Sequence, residues 1–420
     1  MEPDKRDNSK KILTIFLIFV VSFAAFSYLH DTLKMFFVER NFSDFAHYYF
    51  WAEVIVQRHI NPFNLTDEER IKLKESSSIP VHISGTYPDD LPDYNPAFFV
   101  FFYPLTKISF NIASLSWVIF NNSLLIFSLF LCSKLLRIPV RDKYFWLTAL
   151  FFIYASQPLR ENIGIGQINI FILFLLILQL YYSLKSELLS GFILALVILM
   201  KSHFAFFLVF YIIKKKYKLI FSAIFSFIAL NLFSLKFINS RIITTHYKRL
   251  LSLLTAQPLS CLPDNFSIYG FWGRLWGGGS FSCLVFPIYI FTSLLFLIHY
   301  LIISSKDKKG DSLILHFSTY LALFLIIAPL TSEHYLVLAF VPLLVAWKYI
   351  YRCKIEKLEV LLLLGAVLLI LSKCSSLRFA IFQEGLLSVF SAFKTYGLIL
   401  LYLFLTRLIA SGNKLISDLK

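Results

Sequence analysis

Long apolar runs almost free of charge recur from one end of this chain to the other, and they leave few folds open. They lie at 12–29, 112–133, 144–157, 168–184, 218–236, 281–303, 312–330, 335–351, 357–372 and 385–406. Two shorter halves, 190–200 and 203–213, flank Lys201-Ser202-His203. About 20 apolar residues suffice to cross a bilayer as a helix. Lipid offers no partner for backbone N–H and C=O groups, so a crossing segment must satisfy them internally. Hydrophobic residues make up 58% of the 420 and charged residues 15%, more apolar surface than a soluble core of this size uses. The expected fold is an all-α integral membrane protein, a multi-pass helical bundle of about twelve spans.

The formal net charge of +15 would suggest nucleic acid in a soluble chain. Here the excess gathers at 5–11, 134–143, 214–218, 306–309, 348–357 and 407–420, as Lys and Arg do in cytoplasmic loops. Membrane lipids are therefore the expected surroundings, and no nucleic acid is expected as a partner. Placing these clusters inside puts both termini in the cytoplasm. Residues 1–11 form a cytoplasmic N-terminus, 12–406 a single polytopic domain and 407–420 a cytoplasmic tail. The run at 12–29 is long for a signal-peptide core and lacks a clear small-residue cleavage site, so it reads as a retained span. The apolar stretch 96–110 breaks the parity of the map if it crosses alone. With Pro96 and Pro104 inside it, it is expected to be re-entrant or interfacial.

On this map the large loops, about 30–111 and 237–280, lie outside and are expected to carry interfacial helices. The inner loops are too short for a nucleotide-binding domain. Gly277-Gly278-Gly279 lacks the Lys-Ser/Thr that a phosphate cradle needs, so no ATP-driven pump is readable. The five cysteines show no metal spacing; a Cys261–Cys283 bridge is the one pairing that the map leaves open. No metal and no cofactor is expected.

Polar clusters recur at span ends: Asp44 with His47 and Tyr48; Arg160-Glu161-Asn162 leading to Gly166-Gln167-Ile168-Asn169; Lys201-Ser202-His203; Asn265 to Arg274; and Glu333-His334-Tyr335. Charge beside lipid is costly, so such groups face a cavity or one another. Together they suit transfer from a lipid-phosphate sugar. Lys201, Arg160 and Arg274 are candidate cations for the leaving phosphate. Asp44 is the candidate general base for an acceptor hydroxyl, and Gln167 and Asn169 could bond sugar hydroxyls. Each has a plainer reading. Asp44 also reads as a loop acid or helix N-cap, and Arg160 as a residue that snorkels to the interface. Gln167 and Asn169 also read as interhelical hydrogen-bonders, Arg274 as a loop partner of Asp264. His334, Trp272 and Trp276 also fit the membrane interface. Asp89-Asp90 reads as solvated loop acid.

In order, these clusters resemble glycosyltransferase family 87. The motifs are Gly166-Gln167-Ile168-Asn169, Lys201 between two short apolar halves, Asn265-x-Ser267-x-x-Gly270-x-x-x-Arg274, and Pro329 followed by His334-Tyr335. Asp44, Tyr48 and Pro62-Phe63 match the family's opening order. The resemblance covers about 40–345 and departs at Tyr94-Asn95-Pro96, at Lys201-Ser202 and at Thr331-Ser332-Glu333. It implies a C-type glycosyltransferase-like fold and an inverting hexosyltransferase. The donor would be a polyprenyl-phosphate sugar, with mannose typical, and the acceptor a lipid-linked or glycan molecule. By the resemblance Asp44 is the general base, and Lys201, Arg274 and His334 line the donor-phosphate side. Arg160, Gln167, Asn169 and Asn265 complete the expected site. The expected location is the extracytoplasmic face of the inner (plasma) membrane. The alternatives are a transporter or flippase, or a polymerase of lipid-linked glycans. A transporter often shows two related halves with broken helices; here the interrupted hairpin at 190–213 has no counterpart in the other half.

Overall fold

The computed structural model describes residues 5–35, 37, 42–77, 79, 92, 94–253, 262, 264–276, 282–306, 313–352, 357–373 and 379–411. Among these no strand occurs; the chain is helical, as its apolar runs require. Among the described residues six helices are long and apolar enough to cross a membrane: Thr14–Lys34, Phe110–Leu135, Tyr217–Ser234, Ser282–Ser305, Glu333–Tyr351 and Phe393–Ala410. A seventh is reached if Gln157–Ile165 and Asn169–Ser183, which meet at 116°, count as one broken span. Several other expected crossings are shorter helices, among them Lys143–Tyr154, Leu313–Ile327 and Lys357–Leu371.

Surface chemistry argues for lipid. In Tyr217–Ser234, Phe221 is 72% and Phe225 75% exposed, and Phe19, Phe23 and Phe26 of the first helix are about as exposed. Each such ring forgoes about 2 kcal/mol if left in water, a cost that hydrocarbon removes.

The chain divides into two compact units. One comprises Met1–Lys34, Cys132–Glu161 and Pro258–Lys420; the other comprises Met35–Leu131 and Asn162–Gln257.

In the second unit, α1 (Ser43–Ala52) runs into a π-helical turn at Glu53–Gln57. Next comes α2 (Asp67–Glu75), whose Thr66 and Glu69 form a reciprocal capping box. The stretch expected to be re-entrant is a short helix, α3 (Pro96–Phe102), followed by a 3₁₀ turn at Tyr103–Lys107. Asn95 caps α3 by accepting from the Ala97 N–H at 2.9 Å, and Pro96 sits where a helix loses no hydrogen bond to it. The interrupted hairpin is α4 (Glu187–Met200), a 3₁₀ turn at Ser202–Ala205, and α5 (Phe206–Ile213). Lys201 is extended (φ −143°, ψ 106°), which ends α4. Gly191 lets α4 meet α6 (Tyr217–Ser234) backbone to backbone: a Cβ there would lie 2.4 Å from the Leu219 carbonyl oxygen.

In the first unit, α7 (Lys357–Leu371) packs on α8 (Phe393–Ala410) through Gly397, whose Cβ would sit 2.9 Å from Leu369 and Ile370 side-chain atoms. The run expected to be helical over 385–406 starts later. Gly385 is left-handed (φ 74°), a 3₁₀ turn occupies Leu386–Ser391, and the α-helix begins at Phe393. At the other end, the first helix runs to Lys34 rather than ending near 29, carrying His30 and Asp31 within it. Asp89-Asp90 and Cys261 lie outside the described residues.

Candidate active site

Asp44 stands in the first turn of α1, and the cap position belongs to Phe42, which makes no side-chain cap bond. The N-cap reading of Asp44 is therefore overturned. Its carboxylate accepts instead from a residue far along the chain: Gln167 Nε2 donates to Asp44 Oδ2 at 2.5 Å. The opposite end of the same amide is also engaged. Gln167 Oε1 accepts from the Tyr48 hydroxyl at 2.8 Å and from the Ile168 N–H at 3.0 Å.

Gly166 makes this possible. It is left-handed (φ 73°), and a Cβ on it would lie 2.6 Å from Phe45 Cβ. Only a residue without a side chain lets this turn approach α1 so closely. Trp117 Nε1 donates to the Gly166 carbonyl at 2.8 Å and holds the turn from the other side.

Two residues beyond Gln167, Asn169 is fully buried and its Oδ1 accepts from Lys201 Nζ at 2.9 Å. Lys201 is itself buried, lies 6.0 Å from the centre of the Tyr94 ring, and interacts electrostatically with Asp44. The Tyr94 hydroxyl is 2.9 Å from that of Tyr48. Gln167 and Tyr48 thus join Asp44 to Tyr94, and Lys201 lies by that ring. Lys201 is buried while Asp44 keeps partial solvent access, and Asn169 with the nearby carboxylate stabilises the ammonium in that low-dielectric setting.

His47, one turn after Asp44, is half-buried; burial, with a smaller contribution from the charge of Lys74, lowers its pKa to about 3. Its imidazole is neutral near pH 7. A second polar node lies behind α3. Asn95 Nδ2 donates to the Tyr247 hydroxyl at 2.6 Å and to Asn231 Oδ1 at 3.2 Å, so the Tyr94-Asn95-Pro96 text orders α3 against two later helices.

The remaining expected residues belong to the first unit. Arg160 Nη1 donates to Asp31 Oδ2 at 2.5 Å and Nη2 to the Tyr154 carbonyl at 3.1 Å, so its guanidinium is engaged within its own unit. Asn265 is fully buried; Nδ2 donates to the Pro329 carbonyl, while Oδ1 accepts from the Ser267 and Thr331 N–H groups. Gly270 follows from this packing, since a Cβ there would lie 2.1 Å from the Asn265 carbonyl oxygen. Arg274, also buried, donates from Nη1 to the Asn265 carbonyl at 2.5 Å and to the Leu262 carbonyl at 3.3 Å. His334 is half-buried beside Tyr335, 5.1 Å between ring centres.

Sequence reasoning missed a buried ion pair here. Lys394 Nζ lies 2.6 Å from Glu333 Oε1, and Lys394 also sits 5.7 Å from the Phe266 ring centre. Thr395 donates to the Phe266 carbonyl at 2.8 Å, and the Phe266 N–H to the Thr331 carbonyl at 2.8 Å. Residues 265–267, 331–333 and 394–395 are thereby one hydrogen-bonded unit. The signal for it was a lysine inside a run otherwise read as a plain span. Tyr94, noticed in the sequence only as a departure from a motif, is the other residue that the site adds.

No curated protein and no solved structure matches this chain significantly. The family model of glycosyltransferase family 87 matches residues 93–372, more than half of the chain. With its membrane-length helices and this match, the chain belongs to glycosyltransferase family 87 and is a membrane glycosyltransferase.

Proposed function

We propose that the protein transfers a hexose, mannose being the typical case, from a polyprenyl-phosphate donor to a lipid-linked or glycan acceptor, with inversion at the anomeric carbon. Residues 12–406 act as one polytopic catalytic domain of about twelve crossings, flanked by cytoplasmic segments 1–11 and 407–420. The reaction takes place on the extracytoplasmic face of the plasma membrane, because a lipid carries its sugar there whereas nucleotide sugars are cytoplasmic.

The observation that carries this reading is the linked set Asp44–Gln167–Tyr48–Tyr94, with Lys201 beside it. Asp44 precedes the segment that the family model matches, so its role rests on this geometry and on the motif order. Gln167 orients the carboxylate by donating to Oδ2, and the carboxylate accepts the proton of the acceptor hydroxyl. In the reaction the acceptor oxygen forms a bond to the anomeric carbon as its proton passes to Asp44. The bond from the anomeric carbon to the phosphate oxygen breaks, and the electron pair leaves with the lipid phosphate. Lys201, fixed by Asn169, is the cation placed to meet that developing charge, a role worth several kcal/mol of barrier lowering in preorganised sites (about 3 kcal/mol for one donor). Arg274 and His334 are candidates for further contacts to the donor. Gln167 and Asn169 serve as positioning residues, as do Arg160 and Asn265 within the first unit.

The test is transfer from radiolabelled polyprenyl-phosphate mannose to membrane lipid extract by purified protein. Asp44→Asn should abolish product while leaving donor retention intact. Near-normal turnover would remove Asp44 from the mechanism, and a wild-type protein that only moves the labelled lipid across vesicles would favour a flippase.

A further inference from the structure

The helix that carries Asp44 shows solvent very little of itself. Phe45, Ala46 and Tyr48 to Ala52 are all buried; Ser43, Asp44 and His47 alone among its side chains keep partial access. Asp44 and His47 are three residues apart, so they stand side by side on one face of the helix. Any molecule that reaches the carboxylate from solvent therefore also meets the imidazole.

His47 is built for contact rather than for packing. Its ring is walled by Tyr48, Trp51 and Tyr94, with centres 6.4, 6.2 and 6.3 Å away, and the Tyr48 and Trp51 contacts are edge-on. Yet neither ring nitrogen makes a hydrogen bond to any described residue. Three aromatic contacts fix the ring's orientation, while its donor and its acceptor remain to be used. Lys74 is the charged group that acts on it. This differs from the Lys201 side of Asp44, where an ammonium and two amides are already engaged by hydrogen bonds, Lys201 to Asn169 and Gln167 to Asp44.

We propose that His47 and the Tyr94 ring form the acceptor subsite, and that this subsite takes a neutral hexopyranosyl ring with adjacent free hydroxyls. The proposal rests on the base role of Asp44 and names the substrate class that role would act on. One hydroxyl of the acceptor ring lies against Asp44 and is the nucleophile. A neighbouring hydroxyl lies against His47, which gives one hydrogen bond and receives one, as a neutral imidazole can. The Tyr94 ring is half-buried, stacked on Phe98 at 5.0 Å and flanked by His47 and Lys201, and its exposed part would meet the C–H groups of the sugar. His47 is thus a specificity-determining residue, and the Asp44 carboxylate one turn away disfavours a phosphate-bearing acceptor at this position by like-charge repulsion.

The experiment uses the full chain in nanodiscs. The probes are hexyl α-mannopyranoside, its 6-phosphate, and radiolabelled polyprenyl-phosphate mannose. Saturation-transfer NMR reads glycoside binding, and retained label reads donor binding. Wild type should bind the neutral glycoside in preference to the phosphate. His47→Ala should weaken that binding at least about tenfold, the effect of losing one or two net hydrogen bonds, with donor retention within about twofold of wild type. His47→Gln, which keeps one donor and one acceptor, should recover most of the binding and guards against a folding defect. Preference for the phosphate, unchanged glycoside binding in His47→Ala, or loss of glycoside and donor together would overturn the proposal. Asp44→Asn separates it from the base role: transfer that persists in that variant overturns the base, whereas unaltered glycoside binding in His47→Ala overturns the subsite.

Discussion

Gly166→Ala tests how the candidate site is assembled, because it touches no reacting group. The new methyl would meet Phe45 Cβ at 2.6 Å, about 1 Å inside ordinary carbon–carbon contact. Backbone at φ 73° adds a left-handed penalty of about 1 kcal/mol. Overpacking of this kind costs about 1–3 kcal/mol, so the expected destabilisation is about 2–4 kcal/mol. Relief requires α1 and the 166–168 turn to part by about 1 Å. That would stretch the 2.5 Å Gln167–Asp44 bond to about 3.5 Å, beyond useful hydrogen bonding. Misplacement on that scale lowers a rate about 10²-fold. The assay is transfer from labelled polyprenyl-phosphate mannose, with apparent melting temperature in nanodiscs as the stability measure. Gly385→Ala is the control for strain alone: φ 74° with ψ −163° is a region essentially confined to glycine, at a cost of about 1–3 kcal/mol, but nothing lies within 4 Å of its Cβ, so it carries strain without the collision. Gly166→Ala protein with wild-type melting and turnover would refute the close approach and its role.

Three further outcomes are expected. Lys201→Ala should reduce retention of labelled donor by about tenfold or more, as loss of a charge-assisted contact does, while Lys201→Arg should restore part of it; donor retention equal to wild type would assign Lys201 a structural role. Lys394→Met should destabilise the protein by about 3–5 kcal/mol, since it leaves the Glu333 carboxylate buried alone, and the double variant Glu333→Gln/Lys394→Met should recover most of that loss in a melting assay. For His47 the folded pKa of about 3 lies below the ordinary 6.5, so the unfolded chain binds the extra proton first. Stability is then unaffected above about pH 6.5 and falls as pH drops from there toward 3; His246, lowered to about 4 by burial and then by Arg249, acts in the same direction. His47→Gln should flatten part of that acid slope, and an unchanged slope would show that His47 protonates freely in the folded protein.

Much of the helical layout follows from local text. The interruption at Lys201 and the break in the apolar stretch that holds Pro96 and Pro104 were open to reading in residue order, because prolines and apolar spacing act over a few residues. The candidate site was legible in part. Gly166-Gln167-Ile168-Asn169 stood out as a motif, yet it left open whether Gln167 and Asn169 merely tie helices together. Their partners lie on other elements, Asp44 123 residues from Gln167 and Lys201 32 from Asn169, so both amides do tie distant segments together. Asn265 likewise joins its own loop, through the Ser267 N–H, to the Pro329 carbonyl and the Thr331 N–H more than 60 residues away.

What residue order alone settles here is the solvent. Apolar runs of this length demand lipid and helices, since hydrophobic transfer and backbone hydrogen bonding depend on composition over a window and not on distant partners. What it leaves undetermined is every pairing between segments far apart in the chain. Tyr94 beside Tyr48, Lys394 against Glu333 and Asp44 held by Gln167 depend on angles between packed helices and on glycines that let backbones close to contact. Those are sums of many weak contacts over the whole unit, so no short stretch of text records them.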